Sequence, residues 1–456
     1  MKTYSETLAD YIVSLSFEVI PQDVIDKAKL LFLDTLGVMI LGADQILSQS
    51  LLTNFREQGG KEEAHVVFHG DKLPAANAAF VNGTMAHSFD YDDDLAACHI
   101  ACCVIPAALA TAQKVNASGR EFITALAAGY DVTVRLAETL DAHNLYDMGF
   151  HPTSVCGTYG AVTSAGKLLG LSSEKLVNAM GLAGSFVSGS LEWLSDGSMT
   201  KRLHGGKSAS EGIIAASLAL GGVTGPRTIF EGKHGILKMF QAQRNPHLLV
   251  EDLTERFDIL KSYIKWYPCC TCNAPLVDAI LALRKEIPIE LDKIGSIEAR
   301  VRRTCMSLVG EPLDQKRHPQ NILEAQMSAP YCIAAALVDG ELFPHQFSID
   351  KLNNQFIIKM AEKVKVLWSS ELDVDGNPRP VPAEITINMT DGRIHTKRVD
   401  FQKGTYRNPL TSREIEEKFV ICVDAKVAKK ETESLIESIK HLDQLESVNQ
   451  IKLQWN

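Results

Sequence analysis

Four polar stretches interrupt an otherwise apolar, glycine-rich sequence, and their residue types could move protons on an anionic ligand. The first stretch runs from Asn82 to Asp94 and is followed by His99. Such a run of acids usually forms a solvated turn or a helix cap, but a carboxylate beside an imidazole also orients it as a general base. A metal site is a third interpretation, which the spacing disfavours because Asp92, Asp93 and Asp94 lack the alternation of a calcium loop.

The second and third stretches place a histidine and several cations where helices begin. Pro152 suits a first helical turn, so His151 either caps that helix or lies in a site beside its unpaired N–H groups. The third stretch holds four potential cations within seven residues: Lys201, Arg202, His204 and Lys207. A nucleotide loop is excluded, since Lys201 stands where its pattern requires glycine. What remains is an anion site suited to carboxylates, or a solvated basic turn.

The fourth stretch, from Lys265 to Asn273, lies where the character of the sequence changes. Three cysteines in four residues, Cys269, Cys270 and Cys272, invite a zinc interpretation, but no second Cys or His pair follows at finger spacing. We therefore expect no metal, and we expect all ten cysteines to be reduced. Lys265 would lie in a cleft between a helical body and a second domain, where ligand pockets commonly form.

Helices must position most of these side chains. Apolar residues recur at helical spacing after Pro21, and Ser172 can cap a further helix. Glycines and other small residues inside the helical patterns indicate buried helices that cross closely. We predict one discontinuous all-helical domain over residues 1–267 and 405–456.

Residues 268–404 follow a different pattern. Three stretches alternate apolar and polar residues, and Asp391 followed by Gly392 is a strong hairpin signal. These residues are predicted to form a smaller α+β domain, inserted before helices that return to the first domain. The predicted fold class is therefore mainly α, with a large all-helical domain and a smaller α+β domain.

Composition limits the functional classes. The 456 residues are 45% hydrophobic and 22% charged, which fits a folded protein with a sizeable core. The net charge of −10, with no basic segment to offset it, argues against nucleic acid as a partner. The longest runs without charged side chains, 95–113 and 148–166, contain histidine and proline, so we expect no membrane span. Because Glu6 and Asp10 interrupt the apolar N-terminal stretch, we expect no signal peptide and a cytoplasmic location.

Taken together, these stretches resemble the MmgE/PrpD family, whose members include 2-methylcitrate dehydratase, cis-aconitate decarboxylase and iminodisuccinate epimerase. The resemblance covers nearly the whole chain and rests on six segments in the family's order: FLDTLGVMILGA, NGTMAHSFDYDD, HPTSVCGTYGA, MTKRLHGGKSA, KWYPCC and PYCIAAALVDGELFPHQF. It implies a helical domain with an α+β lid, a homodimer, no metal and no organic cofactor. It also implies active-site roles for six residues: Asp90, His99, His151, Lys201, Lys265 and Tyr331.

Our first hypothesis is a cofactor-independent lyase that dehydrates or decarboxylates a small di- or tricarboxylate such as 2-methylcitrate or cis-aconitate. Such chemistry needs cations for the carboxylates and groups that move a proton to or from carbon. We assign proton transfer to His99 and His151, with Asp90 orienting a histidine. Substrate binding is assigned to four residues: Lys201, Lys265, His204 and Tyr331.

Two other functions remain open. The same residues could epimerise an iminodisuccinate-type substrate, where two groups on opposite faces of one carbon exchange a proton. The chain could also be an inactive dimer that only binds a carboxylate. That hypothesis follows from Ala274, which stands in place of a histidine of the family pattern; Ile100, in place of a proline, is a second departure from that pattern.

Overall fold

The computed structural model describes residues 2–242, 244–374 and 381–455. The chain is mainly α-helical, as the sequence predicts, and it divides into two compact units. The first unit comprises Met1–Ser88, Asp92–Ser262 and Thr411–Asn456, and the second comprises Phe89–Tyr91 and Tyr263–Leu410. The C-terminal helices therefore belong to the first unit.

Helices make up nearly all of the first unit. Its α-helices are Tyr4–Ser14, Gln22–Gly42, Ile46–Gln58, Ala75–Ala86, Ala101–Val115, Gly119–Leu140, Ala142–Asp147, Pro152–Leu168, Ser173–Ala183, Trp193–Asp196, Thr200–Leu220, Ile236–Met239, Ser412–Val423 and Lys429–Lys440. The short strands Ala64–His65 and Lys72–Leu73 pair antiparallel. By length and composition, no single helix among the described residues could cross a membrane. Two consecutive helices, Gln22–Gly42 and Ile46–Gln58, are long and apolar enough for a membrane span only when they are counted together, and the chain bends between them.

The core of the first unit depends on close helix crossings. A Cβ atom added to Gly206 would lie 2.0 Å from the carbonyl oxygen of Phe80, and one added to Gly83 would lie 2.6 Å from the Cα of Gly206. Only glycine fits at this crossing, because any side chain would overlap the backbone of the facing helix. The helix that carries His204 is thereby held against the helix that ends just before His87.

A buried ion pair ties the C-terminal helices to the N-terminal part of the first unit. Lys418, on the Ser412–Val423 helix, lies 2.6 Å from Asp34, and both side chains are buried. Beside this pair, Phe419 packs against Gly37, where an added Cβ would lie 2.9 Å from the phenyl ring. Because both charges are removed from water, the Asp34 carboxylate and the Lys418 ammonium each need the other to offset the cost of burial.

The second unit contains a four-stranded sheet. Its order is Val364–Trp368, Ile294–Val301, Ala383–Met389 and Ile394–Val399, with a parallel first pair and antiparallel neighbours thereafter. The hairpin predicted at Asp391 and Gly392 is confirmed, and Gly392 has the positive φ, 90°, that this turn requires. The α-helices of this unit are Ala274–Glu286, Arg303–Cys305, Leu313–Arg317, Ile322–Gln326, Ala329–Asp339, Ile349–Leu352 and Gln355–Glu362.

The cysteines depart from the prediction at one point. Cys272 and Cys305 are joined as a disulfide in the second unit, so the expectation that all ten are reduced is wrong for these two. The two cysteines are 33 residues apart in the sequence, so no local pattern predicts their pairing. The other eight cysteines are free and buried.

Candidate active site

Four buried histidines gather in the first unit. His87 follows the Ala75–Ala86 helix, His99 precedes the Ala101–Val115 helix, His151 caps the Pro152–Leu168 helix, and His204 lies on the Thr200–Leu220 helix. The ring centre of His87 is 4.6 Å from that of His99 and 6.0 Å from that of His151. Helix ends from distant parts of the sequence thus bring several imidazoles into contact.

Asp92 connects two of these rings. Its carboxylate accepts a hydrogen bond from Nδ1 of His87 at 3.0 Å and lies 3.4 Å from Nδ1 of His99. Nδ1 of His99 also lies 3.0 Å from the carbonyl oxygen of Asp93. Because all these partner atoms are acceptors, both Nδ1 atoms carry hydrogen, and Nε2 of each ring bears the lone pair.

His151 and His204 form a second pair. Their Nδ1 atoms are 2.9 Å apart, so one donates a hydrogen bond and the other accepts it. His151 is further fixed by its backbone N–H, which donates to the carbonyl of Gly189 at 2.8 Å. Nε2 of His151 and Nε2 of His87 are buried without a hydrogen-bond partner among the described residues. Such buried polar atoms indicate a place where a ligand or water binds.

Asp93 holds the segment around His99 in place. One carboxylate oxygen accepts hydrogen bonds from the N–H groups of Ile100 and Ala101, at the start of a helix. The other accepts from the hydroxyls of Tyr130 and Ser262. Asp93 therefore acts as a helix cap, which is the ordinary interpretation of such an acid, while its neighbour Asp92 contacts the imidazoles.

The electrostatics of the cluster favour neutral imidazoles and an anionic ligand. Burial lowers the pKa of His87 to about 4, although Asp92 opposes this shift. Burial likewise lowers the pKa of His204 to about 4, and burial together with His204 and Lys201 places the pKa of His151 well below its usual value. Lys201 itself is buried, with its ammonium 5.7 Å from the ring centre of Trp193. Such a buried cation beside neutral bases suits a carboxylate ligand.

In the second unit, Lys265 and Asp90 form a buried ion pair. Nζ of Lys265 donates to the Asp90 carboxylate at 2.7 Å and to the Asp90 carbonyl at 3.0 Å. Asp90 has a positive φ of 51°, which is uncommon for a residue other than glycine and often marks functional sites. The hydroxyl of Tyr331 donates to the carbonyl of Gln346.

Comparison with known proteins identifies the family of this chain. The MmgE/PrpD N-terminal domain matches residues 6–249, and the MmgE/PrpD C-terminal domain matches residues 267–444. The chain belongs to the MmgE/PrpD family. All four clustered histidines and Lys201 fall within the N-terminal match, and Lys265 lies two residues before the C-terminal match begins.

Three curated relatives of this MmgE/PrpD chain carry the name cis-aconitate decarboxylase. The human protein is 29% identical, with 98% of this chain and 93% of the relative aligned. The mouse protein is 28% identical, over 98% of this chain and 92% of the relative. The protein from Aspergillus terreus strain NIH 2624 / FGSC A1156 is 26% identical, over 95% and 92% respectively.

The structure gathers some predicted residues and adds others. His99, His151, His204 and Lys201 come together in the first unit, while Asp90, Lys265 and Tyr331 lie in the second. Three further residues lie in or beside the histidine cluster and were not predicted from the sequence: His87, Asp92 and Trp193. The signal for two of them was present, because His87 precedes Asp92 by five residues within the first polar stretch. The roles assigned to all these residues stay predictions.

Proposed function

We propose that this chain is a cofactor-independent lyase acting on a small di- or tricarboxylate, and that its reaction is the decarboxylation of cis-aconitate. Family membership and the named relatives support an enzyme of lyase type. The observation that carries the proposal is the cluster of buried imidazoles beside the buried ammonium of Lys201; two of these imidazoles have an Nε2 atom without a hydrogen-bond partner among the described residues.

The chemistry of cis-aconitate matches such a cluster. When the carboxylate on the methylene carbon leaves as CO2, the bonding electron pair forms a new double bond to that carbon. The original double bond then takes up a proton at its other end. The trianion therefore gains one proton and yields CO2 and a dicarboxylate dianion, so the enzyme must deliver a proton to carbon.

The histidines are suited to that proton delivery. His87 is neutral near pH 7, because burial lowers its pKa to about 4. A bound polyanion favours the protonated form of a neighbouring imidazole, so substrate and proton enter the site together. His99 or His151 then gives the proton to carbon, and Asp92 keeps the tautomer of His99 fixed.

Lys201 supplies the charge that holds a carboxylate. The protein carries a net charge of −10, so attraction of an anion has to come from local cations. Lys201 is buried near His151, where a charge-assisted hydrogen bond is strongest. We assign His204 to orienting His151 as well as to substrate contact, because their Nδ1 atoms share a hydrogen bond.

A substrate panel tests the proposal. Purified protein is incubated separately with cis-aconitate, 2-methylcitrate and iminodisuccinate, and the products are followed by ¹³C and ¹H NMR. We expect CO2 and a five-carbon dicarboxylate from cis-aconitate only. Dehydration of 2-methylcitrate or racemisation of iminodisuccinate would replace the decarboxylase assignment by the corresponding reaction. No conversion of any substrate, with ligand-induced thermal stabilisation, would support the inactive binding protein.

A further inference from the structure

Three histidines of the cluster bring together atoms that metals prefer. One ring nitrogen from each of His87, His99 and His151 lies within 4.8 Å of the other two, and all three residues are buried. A tetrahedral zinc ion with Zn–N bonds of about 2.0–2.1 Å separates its imidazole nitrogens by about 3.4 Å. Any pair of these nitrogens that lies further apart than this distance has to move together to bind one ion. Sequence spacing concealed this set, because His151 comes from a different segment than His87 and His99.

In two of the rings the hydrogen bonds engage Nδ1 and leave Nε2 for an ion. Nδ1 of His87 donates to Asp92, and Nδ1 of His151 is engaged by His204. Nε2 of both rings is buried without a hydrogen-bond partner among the described residues. A carboxylate behind a coordinating imidazole makes it a stronger ligand, and Asp92 stands behind His87 in this way.

We infer that His87, His99 and His151 form a binding site for one divalent transition-metal ion such as Zn²⁺ or Co²⁺, whose occupancy reversibly inhibits the enzyme. Three imidazole nitrogens with an open fourth position suit these ions. The inhibition rests on the proposed function, since the ion would occupy the lone pairs that move protons. The nearby ammonium of Lys201 repels a divalent cation, which favours a reversible ligand over a resident cofactor.

Thiols are the main competitors for such an ion. Eight free cysteines are present, but all are buried. Burial raises the pKa of Cys422 to about 12 and that of Cys269 well above its usual value, so both stay protonated near neutral pH. Protonated thiols are poor metal ligands. Cys422 and Cys269 therefore compete weakly with the histidine cluster for the ion.

Direct binding is tested with Co²⁺ on the full-length protein. We expect one equivalent to produce visible absorption bands of a low-coordinate site, and EDTA to remove them. His87→Ala, His99→Ala and His151→Ala should each abolish the bands, whereas His441→Ala, a change at an exposed histidine, should leave them intact. X-ray absorption of the Zn²⁺-loaded wild-type protein needs no variant, and should show imidazole nitrogens at about 2.0–2.1 Å rather than sulfur at about 2.3 Å.

The outcomes separate this inference from the proposed function. Zn–S scattering, or no stoichiometric Co²⁺ binding by a folded and active enzyme, would overturn the metal site and leave the lyase intact. Metal binding by a protein that converts no substrate even after EDTA has removed the metal would leave the metal site standing and reject the lyase. We expect Zn²⁺ to lower the rate of an active enzyme and EDTA to restore it. A rate that falls with EDTA and returns with Zn²⁺ would overturn inhibition and make the ion a cofactor.

Discussion

At the scale of single residues, burial decides which groups can transfer a proton. His87 lies fully inside the first unit, yet its Nδ1 donates to Asp92 and its Nε2 has no hydrogen-bond partner among the described residues. The ring is thus oriented as a base by one nitrogen and available for chemistry through the other. His151 likewise engages a partner, His204, through Nδ1 and has an Nε2 without a hydrogen-bond partner among the described residues.

The histidines give the first prediction. His87→Ala, His99→Ala and His151→Ala should each lower kcat by at least about 100-fold, because positioned acid–base groups contribute about 10²- to 10⁴-fold. His441→Ala is the matched control, since that histidine is exposed on the same unit. Near-native rates in variants that melt much earlier would show that the three histidines are structural.

Replacement of Lys201 and replacement of Lys265 should have different effects on activity and stability. Lys201→Met should lower kcat/KM by about 1.5–3 kcal/mol, the value of a hydrogen bond to a charged group, with the fold retained. Lys265→Met should also destabilise the protein by about 3–5 kcal/mol, because it removes the ammonium that pairs with buried Asp90. Kinetics, circular dichroism and thermal melts measure both effects. Lys233→Met, at an exposed lysine of the first unit, is the control. Unchanged kinetics for both variants would place these lysines outside the site.

Sequence spacing identified part of this site for a physical reason. His99, His151 and Lys201 stand beside helix starts, and helix starts can be read from proline, small residues and apolar periodicity. The sequence could not show that Asp92, rather than one of the neighbouring aspartates, contacts an imidazole. That choice depends on the loop after His87, where Ala96 and Ala97 adopt positive φ, a conformation that alanine rarely takes and no local pattern predicts.

At the scale of elements, the hairpin and the capped helices follow from local sequence, whereas long-range pairings do not. The turn at Asp391 and Gly392 needs only its own residues. The pairing of Lys418 with Asp34 joins positions 384 residues apart, so nothing near either residue indicates it. Local sequence also does not show that Phe89–Tyr91 belongs to the second unit. That segment is held by distant residues such as Gln326, whose amide donates to the carbonyl of Phe89.

The buried Asp34–Lys418 pair predicts a pH-dependent stability defect. Burial already raises the pKa of Asp34, and Lys418→Met should raise it further by removing the nearby cation. Above the unfolded pKa of 3.8, the unfolded state then releases a proton that the folded state retains, so stability falls as pH rises. Lys418→Met should thus lose about 3–5 kcal/mol near neutral pH and less in acid.

Urea unfolding at about pH 5 and about pH 8 measures this defect. Asp34→Asn combined with Lys418→Met is the matched control, because it removes the buried charge. It should recover part of the loss and show no additional pH dependence from this site. A defect in Lys418→Met that is equal at both pH values would contradict the account of Asp34.

At the scale of the whole molecule, we propose that the protein is a homodimer. The family resemblance implies one, and apolar side chains are exposed along one helix and just beyond it: Ile214, Leu218, Leu220 and Val223. Light scattering after size exclusion should give about 100 kDa, twice the chain mass of 50.0 kDa. The mass should hold on tenfold dilution. A mass of one chain at every concentration would refute the dimer.

The central claim is that buried histidines deliver a proton to the carbon skeleton of a tricarboxylate while CO2 leaves. The most direct measurement is conversion of cis-aconitate in D2O, followed by ¹³C and ²H NMR in the wild type and in His99→Ala and His151→Ala. We predict one solvent-derived deuterium on carbon per CO2 released, and loss of at least about 99% of this turnover in at least one folded variant. Absence of CO2 release by the folded wild-type protein, or unchanged deuterium delivery in both variants, would contradict the account.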